Sequence, residues 1–214
     1  MSIETLSIIK GNAITLSKIP ETVESSFLSK DKVISILEKW RSNPMLIPRI
    51  AKVTINISVG GATERLDKAA RLLEQLTGQK PSLRRAKKTI KEFGISKKQL
   101  IAAVVTLRGA KAHEFLRKAL YAVNNTLRYR NFDATGNISF GIKEHLLLPG
   151  VRYDPDIGIF GMDISVTIER CGYRVAKRRR CRSSIPMRHR VSREESILFM
   201  EILYGIRVIG ERHG

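Results

Sequence analysis

The chain has 214 residues, 43% of them apolar and only 6% aromatic, so aliphatic side chains must build most of any core. Its 39 Lys and Arg against 20 Asp and Glu leave a formal charge of +19, which repels itself in a compact fold and calls for a polyanionic partner. Nucleic acid is the leading candidate and a membrane surface the weaker one, because no run of about 18 apolar residues and no basic amphipathic anchor occurs.

Residues 1–43 read as an extension. They carry six basic and five acidic residues, so nearly all of the excess charge belongs to the body, 44–214. Met1–Lys10 lacks the basic start, apolar core and small-residue cleavage site of a secretory leader. Ser29-Lys30-Asp31-Lys32 leads into Val33, Ile34, Ile36, Leu37 and Trp40, which predicts a short helix near 30–41 that stops at Asn43-Pro44.

The body opens with a strand over Ile50–Val59. Val53, Ile55, Ile57 and Val59 point one way; Lys52, Thr54, Asn56 and Ser58 point the other. Gly60-Gly61 ends it as a tight turn. A helix follows through Leu66, Ala69, Ala70, Leu73 and Leu76, with Gly78 just past its end. Lys80–Lys98 holds eight basic residues and one acid, Glu92, and reads as irregular or weakly paired. Ile101–Leu107 is a strand, Lys111–Leu127 a helix, and Ile138–Ile142 and Met162–Ile168 are further strands. Ser192 and Glu195 form a capping box at the start of a last helix. One-sided strands predict an α+β fold, with a single mixed or largely antiparallel sheet, helices packed on one face, and the other face open and polar.

No phosphate loop, G-x-S-x-G, H-E-x-x-H or metal-spaced cysteine pair occurs, and too few carboxylates converge for a two-metal nuclease. The chain therefore reads as neither an enzyme nor a cofactor or metal binder. Cys171 and Cys181 read as reduced thiols, and the histidines His113, His145, His189 and His213 are scattered.

Two places suit RNA. Residues 170–193 contain ten Lys or Arg and no acid; Arg170 and Arg193 flank Arg174, Lys177, Arg178, Arg179, Arg180, Arg182, Arg188 and Arg190. Such a run fits backbone contacts with little sequence preference, and Tyr173 and His189 within it could stack on bases. The polar side of the first strand, Lys52, Thr54, Asn56 and Ser58, suits the shallow minor groove of an A-form helix. An ordinary solvent-facing strand fits that pattern equally well.

Several segments resemble a known family in order: Asn43-Pro44-Met45, Ile50–Gly60, Leu76-Thr-Gly-Gln-Lys-Pro81, Ala86–Ile90, Val105-Thr-Leu-Arg-Gly109, Gly136–Gly141 and Tyr153–Asp163. This run resembles the universal large-subunit ribosomal protein five family, numbered eleven in eukaryotes, from Asn43 to about Val208. The Asn43-Pro44-Met45 start, the Tyr153–Asp163 segment and Ile185–Arg190 resemble its archaeal and eukaryotic branch, with an archaeal source favoured. The resemblance implies a cytoplasmic, ribosome-bound structural protein. It implies 5S ribosomal RNA as partner, gripped at Asn56, Gln79 and Thr106 with Lys52, Lys80 and Arg108 beside them. It further implies large-subunit (23S-type) ribosomal RNA, neighbouring proteins of the central protuberance, a protein of the small-subunit head, and peptidyl-site transfer RNA. The transfer RNA would meet the basic loop at Arg84, Arg85, Lys87 and Lys88. A nonspecific nucleic-acid chaperone or architectural protein is the alternative. Residues 1–42 extend beyond the archaeal pattern.

Overall fold

Val53, Ile55 and Ile57 alternate with Thr54, Asn56 and Ser58. A computed structural model, which describes residues 25–61 and 63–210, turns that alternation into a ten-residue strand, β1 (Arg49–Ser58). Branched side chains at each inward position favour the pleated backbone. Helix α1 (Lys30–Ser42) precedes it. After β1 come α2 (Thr63–Thr77), β2 (Ser82–Arg85), β3 (Leu100–Leu107), α3 (Gly109–Ala122), β4 (Thr126–Arg128) and β5 (Ile138–Ile142). The chain continues through β6 (Met162–Glu169), α4 (Arg174–Lys177), α5 (Arg193–Tyr204) and β7 (Arg207–Ile209). Residues 1–24 of the expected extension, the Met1–Lys10 segment among them, and His213 lie outside the described residues.

The described chain gathers into two compact units. One takes residues 53–122 and 139–165; the other takes 25–52, 123–138 and 166–210. The main sheet runs in the order β2-β3-β1-β6-β5. Strand β3 lies antiparallel to both β1 and β2, with Val53 opposite Leu107 and Ile57 opposite Ala103. That register puts Val53, Ile55, Ile57, Ala103, Val105 and Leu107 on one face, none more than 1% exposed. In the same unit α2 packs on β3 and buries Leu66, Ala69, Leu72 and Leu73. Helix α3 buries Phe115, Leu116, Ala119 and Leu120 at helical spacing. α2 stops where Gly78 takes a φ of +61° and donates its N–H to the Glu74 carbonyl at 2.8 Å, a conformation that suits a residue without Cβ. The expected α+β fold, with an uncovered polar sheet face, is what forms.

In the other unit α1 buries Val33, Ile36, Leu37 and Trp40. α5 buries Ile197, Leu198, Phe199, Met200 and Leu203 on nearly every side, as a helix in the middle of a core does. Its predicted capping box is formed: Glu195 N donates to Ser192 Oγ at 3.2 Å, and Ser192 N donates to Glu195 Oε2 at 3.2 Å. Ser25 Oγ donates to Glu201 Oε2 at 2.6 Å, and Lys32 pairs with Glu194, so the stretch from Ser25 to Ser42 is tied to α5.

Two expectations change. The helix expected over Lys111–Leu127 ends at Ala122, because Asn124 and Asn125 take φ of +55° and +52°, a left-handed pair that asparagine tolerates. Leu127 is buried all the same, now from β4. Strand β4 pairs in parallel with β7, Leu127 opposite Val208, so a second, two-stranded sheet stands beside the single one expected. Lys80–Lys98 is weakly paired as expected, and its order consists of β2 with a shift at Arg84/Arg85 and a bridge between Ile90 and Ile95.

Candidate RNA-binding surfaces

The cross-strand register decides what the open sheet face presents. Thr54 sits opposite Thr106, Asn56 opposite Val104, and Ser58 opposite Ala102. Across the next strand pair, Ser82 is opposite Val104 and Arg84 opposite Ala102. Two rows therefore cross β2, β3 and β1: Ser82-Val104-Asn56 and Arg84-Ala102-Ser58. Asn56 Nδ2 donates to Ser58 Oγ at 3.1 Å, and Gln79 Nε2 donates to the Thr106 carbonyl at 3.3 Å. The turn after α2 thereby brings Gln79 to the edge of the β3 row, although it lies 27 residues from Thr106. Lys52, Thr54 and Asn56 are half-buried; Ser58, Gln79, Lys80 and Arg108 are exposed. The surface is rich in neutral donors and acceptors, with cations at its margin.

Of the four residues expected in a basic loop, Arg84 and Arg85 lie instead in β2. Arg84 shares a row with Ser58, so it joins the sheet-face group. Lys87 and Lys88 stand exposed in the turn that follows. Beyond them Phe93 is 73% exposed, at the end of a short helical turn closed by Gly94 at φ +62°. Sequence reasoning passed over Ser82 and Phe93. The signal for Phe93 was an aromatic residue with no periodic apolar neighbours in a run of lysines.

The segment 170–193 is less uniformly cationic than its sequence suggests. Arg170 is 6% exposed; its Nη2 bonds both carboxylate oxygens of Glu195, and Nη1 donates to the His189 carbonyl at 3.3 Å. The Arg193 guanidinium lies over the Tyr129 ring, 4.7 Å from its centroid. Lys177 pairs with Glu169 of β6. Arg174, Arg179, Arg180, Arg182 and Arg188 are exposed, and Arg178 Nε donates to the Cys181 carbonyl at 2.8 Å. Arg190 is half-buried. Tyr173 and His189 rings lie 6.0 Å apart at 43°, and His189 Nε2 is bonded to the Cys171 carbonyl at 2.8 Å. Burial pushes the Tyr173 phenol up from its ordinary value, so it stays a neutral hydroxyl. Cys171 and Cys181 are free thiols.

Comparison with known proteins decides the family. Residues 43–95 match the model described as ribosomal protein L5, and residues 100–199 match the model that describes the C-terminus of the same ribosomal family. The chain belongs to the ribosomal protein L5 family. A relative from Aeropyrum pernix is 52% identical over 180 residues, covering 84% of this chain and 94% of the relative. One from Sulfurisphaera tokodaii is 54% identical over 168 residues, covering 78% and 95%. One from Methanobrevibacter smithii is 47% identical over 169 residues, covering 79% and 99%. All three carry the name large ribosomal subunit protein uL5. The first L5 match spans β1 and the Gln79 turn, and the second spans β3, β6 and the basic segment. Both candidate surfaces thus lie within the family's extent. None of the helices among the described residues is long and apolar enough to cross a membrane.

Proposed function

We propose that this protein is a structural, non-enzymatic constituent of the large ribosomal subunit that holds 5S ribosomal RNA on its open sheet face. Membership of the ribosomal protein L5 family supports the ribosomal role and a place on the ribosome. The observation that carries the 5S reading is the cluster Asn56, Ser58, Gln79 and Thr106, neutral hydrogen-bonding groups joined on one uncovered face. Such groups can address 2′-hydroxyls and base edges in a shallow A-form minor groove, where a face of bare cations would address only phosphate. Lys52, Thr54, Lys80, Arg84 and Arg108 surround them and supply backbone contacts. Lys87 and Lys88, with Arg85, form the surface we assign to transfer RNA. Residues 174–190 take large-subunit ribosomal RNA by its backbone. The same reading puts the protein in the central protuberance, beside its neighbouring proteins and the small-subunit head.

The test is binding of isolated 5S ribosomal RNA against a random RNA duplex competitor. Loss of one neutral hydrogen bond is worth about 0.5–1.5 kcal/mol, so Asn56→Ala should weaken 5S binding about two- to tenfold. That loss should persist at high salt, because a neutral contact is screened little. Equal displacement of 5S RNA by random duplex, with 5S affinity unchanged in Asn56→Ala, would favour a nonspecific nucleic-acid chaperone instead.

A further inference from the structure

A cavity of about 280 Å³ opens among β6, α4, the 135–137 turn and the 184–190 stretch. Its volume equals that of about nine waters, a room of the size a bicyclic base needs. It borders the most cationic segment of the chain, yet its lining includes two side-chain acceptors, Glu169 and Asn137. Glu169 reaches it from β6 with a side chain only 10% exposed. Lys177 bonds Glu169 Oε1, which leaves Oε2 to accept. Asn137 is similarly committed. Its Nδ2 donates to Asp133 Oδ2 at 3.1 Å and to Thr135 Oγ1 at 2.9 Å, so the amide oxygen is the group left to accept. Burial pushes the Asp133 carboxyl up, but bonds from Thr135 and Asn137 outweigh it and hold the group below its ordinary value. That anion fixes which way the Asn137 amide faces. Tyr173 supplies an aromatic wall, and Arg190 supplies a cation.

A phosphate would meet the Glu169 carboxylate and be repelled. What such a cavity accepts is a flat group with adjacent N–H donors. We propose that it receives an unpaired guanine of an RNA strand whose backbone runs over the arginines of the 174–190 segment. This rests on the reading that the segment binds ribosomal RNA. Guanine alone among the four bases presents two neighbouring donors, N1–H and the 2-amino group, which match a carboxylate. Adenine and cytosine each set one amine beside a ring acceptor, which would oppose Glu169. Uracil offers one N–H between two carbonyls. Arg190 is the donor available to guanine O6, and Tyr173 offers its ring face for stacking. Charge-assisted bonds of this kind are the strong ones, so discrimination should be large relative to a neutral site.

The experiment uses the full chain and short single-stranded oligouridylates carrying one central guanosine, inosine or adenosine. Affinity is read by fluorescence anisotropy at roughly 0.1 M salt. The guanosine strand should bind about tenfold tighter than the adenosine strand, with inosine, which lacks the 2-amino group, between them. Glu169→Gln should erase that ratio while binding the adenosine strand at least as tightly. Ala176→Leu, which puts a larger side chain into the cavity, should erase it without touching a polar group. Arg179→Met with Arg180→Met should weaken all strands alike and keep the ratio. Equal binding of guanosine and adenosine strands overturns the pocket and leaves the backbone reading standing, as does a preference that survives both Glu169→Gln and Ala176→Leu. Failure of every strand to bind overturns the backbone reading, and the pocket with it.

Discussion

Glu195→Gln isolates one question: whether Arg170 serves the fold or the RNA. Both side chains of the Arg170–Glu195 pair are 7% exposed. Glutamine preserves the capping box with Ser192, since an amide oxygen can accept the Ser192 N–H as the carboxylate does. The change therefore removes a charge and little else, and it leaves the guanidinium buried without its counter-ion. Breaking a buried pair by removing one partner costs about 3–5 kcal/mol, and the retained amide contact argues for the low end, about 3 kcal/mol. For a domain of this size each kcal/mol is worth about 2–4 °C, so Tm should fall by about 6–12 °C. Adding Arg170→Met should cost no more than the single change, because the uncompensated cation goes as well. Lys32→Met is the control: its pair with Glu194 is 48% and 41% exposed, and its loss should cost less than about 1 kcal/mol. Thermal unfolding followed by circular dichroism reads the parent and the three variants. A fall of under about 2 °C in Glu195→Gln would show that the pair is solvated and that Arg170 is free to meet RNA.

Two further outcomes test the packing. Trp40 is 0% exposed, so Trp40→Ala should cost about 3–5 kcal/mol; a change confined to a loosely attached extension would barely move denaturant unfolding. His145 is 1% exposed, and its Nδ1 accepts the Phe160 N–H at 3.3 Å; desolvation lowers its pKa below 6.5 despite the opposing pull of the Glu144 carboxylate. Its stabilising contribution is complete above the unfolded value and is lost as pH drops through 6.5 toward the lowered folded value, because the unfolded chain takes the proton first. Tm should therefore fall between pH ~7.5 and ~5.5, and His145→Gln should flatten that slope; a mutant with the parent's slope would refute the assignment.

The long elements were legible because their periods were clean. Val53-Ile55-Ile57 against Thr54-Asn56-Ser58 fixed both the strand and which side it buries, and Ser192 with Glu195 placed the start of α5 to the residue. What escaped was short or non-local. β4 and β7 have three residues each, too few for a period to show, and they exist because each is the other's partner. Leu127 misled because a buried leucine extends a helical pattern as well as it fills a strand, and the two asparagines that stop the helix are weaker signals than proline or glycine. The site was legible in part for the same reason. Asn56 and Ser58 follow from strand alternation, but Gln79 reaches Thr106 only through the turn after α2, and Ser82 and Arg84 join the face only through the register of β2 on β3. No spacing within the chain encodes that register. Gln79 and Thr106 were named through family resemblance, and the geometry supplies the physical link between them.

The charge run shows why composition misjudges a binding surface. Ten cations in residues 170–193, each on a phosphate, would give a salt slope of about seven to nine log units per log unit of salt. Acids that flank the run claim some of them: Glu195 takes Arg170 and Glu169 takes Lys177, while Tyr129 takes Arg193. That leaves Arg174, Arg178, Arg179, Arg180, Arg182, Arg188 and Arg190, and the segment's share of the slope falls to about five or six. Replacing Arg180 by Met should lower the measured slope by about 0.7–0.9, whereas replacing Arg170 by Met should destabilise the protein and leave the slope where it was. The comparison separates the two roles because a strut and a phosphate contact carry the same charge but answer differently to salt. An unchanged slope in the Arg180 variant, or a reduced one in a folded Arg170 variant, would reverse the assignment.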